Sequence, residues 1–76
     1  MRLRPGERVD WHSTGNREEL LIGLDGVCEL EVRQASRKSP RRLLLSTGQC
    51  IFIPRATPHR VINQSKAPAC YLYVTG

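Results

Sequence analysis

Residues 6–26 read GERVDWHSTGNREELLIGLDG and residues 48–63 read GQCIFIPRATPHRVIN, and these two blocks decide how the chain folds. In the first, Val9 and Trp11 alternate with Asp10, His12 and Thr14, the period of two that marks a half-buried β-strand over about Glu7 to Thr14. A polar turn around Gly15 and Asn16 breaks the pattern. A second strand is expected over Glu19 to Leu24, stopped by Asp25-Gly26, a pair that tolerates positive φ and signals a two-residue hairpin. In the second block, Cys50 to Ile53 reads as a strand with a core-like Phe52, and Pro54 ends it. Alternation then resumes, with His59, Val61 and Asn63 on one face.

Outward from these blocks the same period continues. Val27 to Arg33 places Cys28, Leu30 and Val32 opposite Glu29, Glu31 and Arg33, a strand with one wet face. Arg42 to Leu45 is a short apolar strand before a turn at Ser46 to Gln49. Ala69 to Thr75 sets Cys70, Leu72 and Val74 against Tyr71 and Tyr73, with the tyrosines as the outward set, expected to face a partner subunit or solvent in preference to lining a pocket mouth. No stretch carries helical spacing over ten or more positions. Seven or so short strands divided by turn residues predict an all-β fold, a compact antiparallel β-barrel or jelly roll. With no repeat and no linker, residues 1–76 are read as a single domain.

A chain of 76 residues buries only about 60% of its unfolded surface. Core area is scarce, and a homodimer that covers exposed strand edges is the expected remedy. The formal charge of +5 raises a nucleic-acid reading, so the location of the charge matters. Arg33, Arg37, Lys38, Arg41 and Arg42 lie in one stretch with Gln34, Ser36, Ser39 and Pro40, and no aromatic residue stands among them to stack on bases. That stretch reads as a solvated loop in preference to a polyanion site. The three cysteines, Cys28, Cys50 and Cys70, sit in apolar runs without metal-ligand spacing and are expected as buried, reduced thiols. The start, Arg2-Leu3-Arg4-Pro5, is unlike a signal peptide, and no segment is long enough to span a bilayer. A cytoplasmic location is expected.

Three residues carry the chemistry. His12 and Thr14 share a strand face, and a hairpin partner beginning at Glu19 would present its carboxylate beside them. His59 comes from far along the chain, and only a closed β structure brings it to the same place. Two imidazoles and a carboxylate are the donor set of the facial triad that holds Fe(II), and they also suit Zn, Mn or Ni. Serine or cysteine nucleophile chemistry has no support, since no Gly-x-Ser-x-Gly elbow is present. A glycine-rich phosphate loop is also absent.

The spacing Gly6, His12, Thr14, Glu19, Gly26, followed by Gly48, Pro54, Ala56, His59, Asn63, resembles the two motifs of the cupin superfamily. The resemblance implies a small conserved-barrel fold and a divalent transition metal (Fe, Mn, Zn or Ni) held by His12, Glu19 and His59 inside the barrel. Asn63 is a motif position without a ligand role, from which a structural hydrogen bond is expected. Two positions depart from the pattern. The first motif's second histidine is Thr14, whose hydroxyl is a poor ligand, so Thr14 becomes a pocket or supporting group. The second motif's second glycine is Ala56, which speaks against a demanding positive φ there. Asp10 is the further carboxylate that alternation puts on the His12 face, and with Thr14 it completes the expected substrate pocket.

Because cupins host many activities, the fold leaves the reaction open. One reading is a metal-dependent enzyme acting on a small polar or sugar-like molecule. The alternative is a small-ligand binding or sensing module without turnover, metal-loaded or metal-free, which the loss of a motif histidine favours. Trp11 is expected in the core or at a dimer contact, and Arg60, on the face opposite His59, is a lesser candidate for an acidic substrate.

Overall fold

A computed structural model describes residues Met1–Gly76. It has no helix. Eight strands follow one another: β1 Arg2–Leu3, β2 Arg8–Ser13, β3 Glu19–Asp25, β4 Val27–Val32, β5 Arg41–Ser46, β6 Cys50–Ile53, β7 Pro58–Ile62 and β8 Ala69–Thr75. They form two four-stranded antiparallel sheets, in the orders β1-β8-β3-β6 and β2-β7-β4-β5. The chain passes from one sheet to the other at almost every turn, which is the jelly-roll habit, and β4–β5 is the one pair of sequential strands that are also neighbours.

Two sequence expectations change here. Asp25-Gly26 makes no hairpin, because β3 pairs with β6 and β8 whereas β4 pairs with β5 and β7. The pair is a corner between sheets. Gly26 sits at φ 70°, and a Cβ there would lie 2.4 Å from the Pro68 carbonyl oxygen, so close approach as well as backbone freedom fixes the glycine. The short β1, paired with β8 through Arg2–Cys70 and Leu3–Ala69, escapes the sequence pattern because two residues are too few to show a period.

The core lies between the sheets and contains Leu3, Leu21, Cys28, Leu30, Val32, Leu45, Ile53, Val61, Ala69 and Tyr71. Burying each leucine or isoleucine contributes about 1.5–3 kcal/mol. Tyr71 therefore points inward, and Tyr73, two residues on, points the same way toward the rim. Phe52, Leu72 and Val74 are left 57%, 48% and 52% exposed on the outer face. These placements reverse the expected faces of β8 and the expected burial of Phe52. In Ile51-Phe52-Ile53 and in Cys70 to Val74 both faces are apolar, so composition alone does not choose the inner one.

Cys28 is buried, as expected, while Cys50 is exposed and Cys70 half-buried; all three are free thiols. Asn63 is fully buried. Its amide donates to the carbonyls of Leu3 at 3.0 Å and Ala67 at 2.9 Å, and its oxygen accepts from the Ser65 amide and hydroxyl. The structural hydrogen bonding expected of that motif position is present.

The outer face of the second sheet is closed by charge. Glu31 is 4% exposed, held by the Arg60 guanidinium at 3.1 and 2.7 Å, with Arg42 Nε 4.0 Å from its other oxygen. Trp11 lies beside them, with Arg60 5.0 Å and Arg33 5.3 Å from its ring centre. Glu31 is thus not on a wet face, and Trp11 stacks under arginines outside the core. Arg60 is occupied outside the barrel, away from any ligand within it.

Candidate metal centre

A β-bulge assembles the site. Along the β2–β7 ladder Val9 opposes Val61 and His12 opposes His59, so two residues, Asp10 and Trp11, face the single Arg60. One extra residue in β2 shifts the side-chain alternation. Val9 and His12 consequently line the same cavity although they are three residues apart, His12 at its exposed rim, and Trp11 turns to the other face under Arg33 and Arg60. Glu19 opens β3 in the other sheet and approaches His12 and His59 across the interior, in place of the expected hairpin pairing.

One donor atom from each of His12, Glu19 and His59 lies within 4.8 Å of the others. The imidazole centres are 4.2 Å apart and tilted by 59°. His59 is 1% exposed, and its Nδ1 is 2.9 Å from the Thr57 carbonyl oxygen. A carbonyl only accepts, so Nδ1 carries a proton, and in the neutral ring Nε2 is the atom that keeps a lone pair. His12 is held in the same sense by the Asp10 carbonyl at 2.8 Å.

The consequence is an electrostatic demand. His59 Nε2 is buried without a hydrogen-bond partner and stands 3.4 Å from Glu19 Oε2. An unsatisfied buried polar atom costs about 1–3 kcal/mol. A divalent cation between the three side chains would satisfy all of them, and ligands about 2.0–2.2 Å from one ion sit roughly 3.0–3.5 Å from each other. The set fits a metal after closing by roughly an ångström. The carbonyl-anchored Nδ1 atoms are the usual outer-shell device for aiming Nε2 at an ion.

Two cavities meet at the group. An apolar one of about 180 Å³ is lined by Met1, Val9, Val61, Tyr71 and Tyr73 together with the three donor residues. A polar one of about 230 Å³ shares His12, Glu19 and Tyr73 and adds Ser13, Thr14, Arg17, Glu18 and Thr75. Burial, with lesser contributions from Cys28, Glu19 and Tyr73, pushes the Tyr71 hydroxyl well above the ordinary tyrosine range. Tyr71 remains a proton-bearing group at the wall.

Of the five residues named from sequence, His12, Glu19 and His59 converge. Asp10 is exposed and lines neither cavity, because the bulge that turns His12 inward leaves Asp10 on the other side of the shift. Its carboxylate accepts from the Trp11 amide instead. Thr14 edges the polar cavity, but its hydroxyl is bound to the opposite loop. Ala56 adopts φ 52°, so the left-handed turn expected to be absent is made, by a non-glycine residue. Tyr71 and Tyr73 are the site residues that sequence reasoning misplaces, and the core-facing Ala69 two positions earlier on the same face is the available signal.

A family model described as Cupin domain matches residues 1–75. No curated protein matches the chain. Among solved structures, Drosophila melanogaster CENP-C bound to CAL1 superposes with a TM-score of 0.90 at 16% identity, over 99% of this chain and 60% of that one. A Thermus thermophilus protein gives 0.85 at 29% identity, over 99% and 66%. A predicted oxalate decarboxylase from Thermotoga maritima gives 0.83 at 19% identity, over 97% and 59%. The chain thus spans 60% or less of the Drosophila and Thermotoga chains.

Proposed function

The chain belongs to the cupin domain family, and from that membership we propose that His12, Glu19 and His59 hold a divalent transition metal with which it acts on a small polar or sugar-like molecule. The observation that carries this reading is the buried, unpartnered Nε2 of His59 facing Glu19 at 3.4 Å. When bound, such an ion supplies Lewis acidity, polarising a substrate oxygen. The rest of the chemistry belongs to the chain. Glu19 contributes the negative charge that offsets half of the ion's, and the two imidazoles add none. Tyr71, kept protonated by burial, donates a hydrogen bond to a ligand atom in the apolar cavity, beside its Val9 and Val61 walls. Glu19→Gln is expected to weaken Zn²⁺ or Mn²⁺ affinity at least about 100-fold, read by competition with a chelating dye. Affinity equal to wild type would remove Glu19 from the site.

A second reading, a ligand-binding or sensing module without turnover, is favoured by one feature. Apart from the proposed donors, the apolar cavity contains no carboxylate or imidazole to serve as acid or base, and Asp10 is turned away from it. Metal-loaded protein that binds small polar ligands but converts none of them would select this alternative.

Residues 1–76 are proposed to act as one domain and to pair as a homodimer through the outer face of β1-β8-β3-β6. There Leu20 lies opposite both Phe52 and Val74, and Ile22 lies opposite Cys50 and Leu72. A contiguous apolar patch of this kind marks an interaction surface. Phe52→Glu is expected to shift the protein to monomer in sedimentation velocity without lowering its melting temperature as a monomer, since the ring is 57% exposed. Unchanged sedimentation of a wild-type dimer would place the contact elsewhere. One Drosophila relative is named as bound to CAL1, which keeps a protein partner as the other occupant of such a face. No helix is long and apolar enough to cross a membrane; the cytoplasm is proposed on the three free thiols. Within the basic stretch, Arg42 lies beside Glu29 and Glu31 and Arg33 over the Trp11 ring, which weakens a polyanion role.

A further inference from the structure

We propose that Thr14, which occupies the slot of the missing motif histidine, is a positioning residue that aims the His59 ring through the backbone of Thr57. Thr14 touches both polar backbone groups of Thr57. Its hydroxyl accepts from the Thr57 amide at 3.1 Å, and its own amide donates to the Thr57 carbonyl at 3.3 Å. That carbonyl is the one that accepts His59 Nδ1–H at 2.9 Å. The same hydroxyl donates to the Pro54 carbonyl at 2.6 Å, and next to it the Ala56 amide donates to the Gly15 carbonyl at 2.7 Å.

The β6–β7 loop needs such a clamp. Ala56 sits at φ 52°, a region that costs a non-glycine residue of order 1–2 kcal/mol. Left to itself, the loop would relax toward ordinary φ and rotate the Thr57 carbonyl that follows. The carbonyl's direction sets where Nδ1–H points, and hence where the Nε2 lone pair lies relative to Glu19. With its hydrogen bonded to Pro54 and a lone pair taken by Thr57, the Thr14 hydroxyl is turned to the loop and serves the site from behind His59.

The inference rests on the proposed metal reading for its affinity arm only. Thr14→Val keeps the branched shape and removes the hydroxyl; Thr14→Ser keeps the hydroxyl; Thr14→Ala is the substitute if valine disturbs folding. Two quantities are read on metal-free and Zn²⁺-titrated protein: ¹⁵N signals of the His59 ring, with those of His12 as internal reference, and Zn²⁺ affinity by chelator competition. The expected result for Thr14→Val is a mixture of His59 tautomers with His12 unchanged, and a roughly 10- to 100-fold loss of Zn²⁺ affinity. Thr14→Ser restores both. A single Nδ1–H tautomer for His59 in Thr14→Val or Thr14→Ala, with wild-type affinity, overturns the proposal. If the wild-type protein takes no Zn²⁺, the metal reading fails by itself, and the His59 ring signals still decide the role of Thr14.

Discussion

Saturation with Zn²⁺ or Mn²⁺ is expected to raise the melting temperature by roughly 10–20 °C over chelator-treated protein. An ion that binds the folded state alone at 100 times its Kd adds about 2.7 kcal/mol, and in a domain of this size each kcal/mol moves Tm by about 4–8 °C. The ion would bind between His59 Nε2, which is buried without a hydrogen-bond partner, and the Glu19 carboxylate 3.4 Å away. His59→Ala and Glu19→Gln should each abolish the shift, whatever they do to the baseline Tm. Calorimetry with and without chelator reads both. A shift that survives in His59→Ala would mean that the ion binds elsewhere.

Gly23→Ala is expected to leave the chain largely unfolded. A Cβ at this position would stand 2.1 Å from the Ser46 carbonyl oxygen and 2.7 Å from its carbon, both backbone atoms. No rotamer change relieves such a contact. The β5–β6 turn is laid directly on β3 here, with the Gly23 amide donating to the Gln49 carbonyl and its own carbonyl accepting from the Gly48 amide, each at 2.9 Å. Displacing the turn breaks both bonds and drags β5 and β6 from their sheets. A loss of about 4 kcal/mol or more meets a total stability of roughly 4–11 kcal/mol for a chain this short. Gly15→Ala is the control: its φ is 63° but no atom lies within 4 Å of the added carbon, so a cost of only about 1–2 kcal/mol follows. Circular dichroism and urea titration distinguish the pair, and a folded Gly23→Ala would show that the turn is free to move.

How far the fold can be read from residues depends on whether one face of a strand is polar. In β4, Cys28, Leu30 and Val32 against Glu29 and Glu31 mark the inner face at once. In β6 and β8 both faces are apolar, and the sequence pattern puts the tyrosines and Phe52 on the wrong sides. Turn chemistry identifies where strands stop but not what they pair with. Asp25-Gly26 stops β3 as expected, yet whether the next strand pairs or crosses to the other sheet depends on long-range packing against Pro68 and Ala69.

The convergence of His12, Glu19 and His59 is legible because residue type and motif spacing do not require knowing the register. What surrounds it is not. A single extra residue in β2 separates Asp10 from His12 and sends Trp11 outward to Arg33 and Arg60. No local pattern announces that bulge. The Gly23 contact is invisible for the same reason, since its partner lies 23 residues away in sequence, at Ser46.

Whether His12, Glu19 and His59 together hold one divalent ion is decided by elemental analysis of protein purified without chelator, with His59→Ala and Glu19→Gln prepared alongside. Close to one transition-metal ion per wild-type chain, lost from both variants, is the expected result. A wild-type protein that is metal-free and cannot be loaded, or variants that keep the ion, would contradict the assignment of these three side chains as a metal centre.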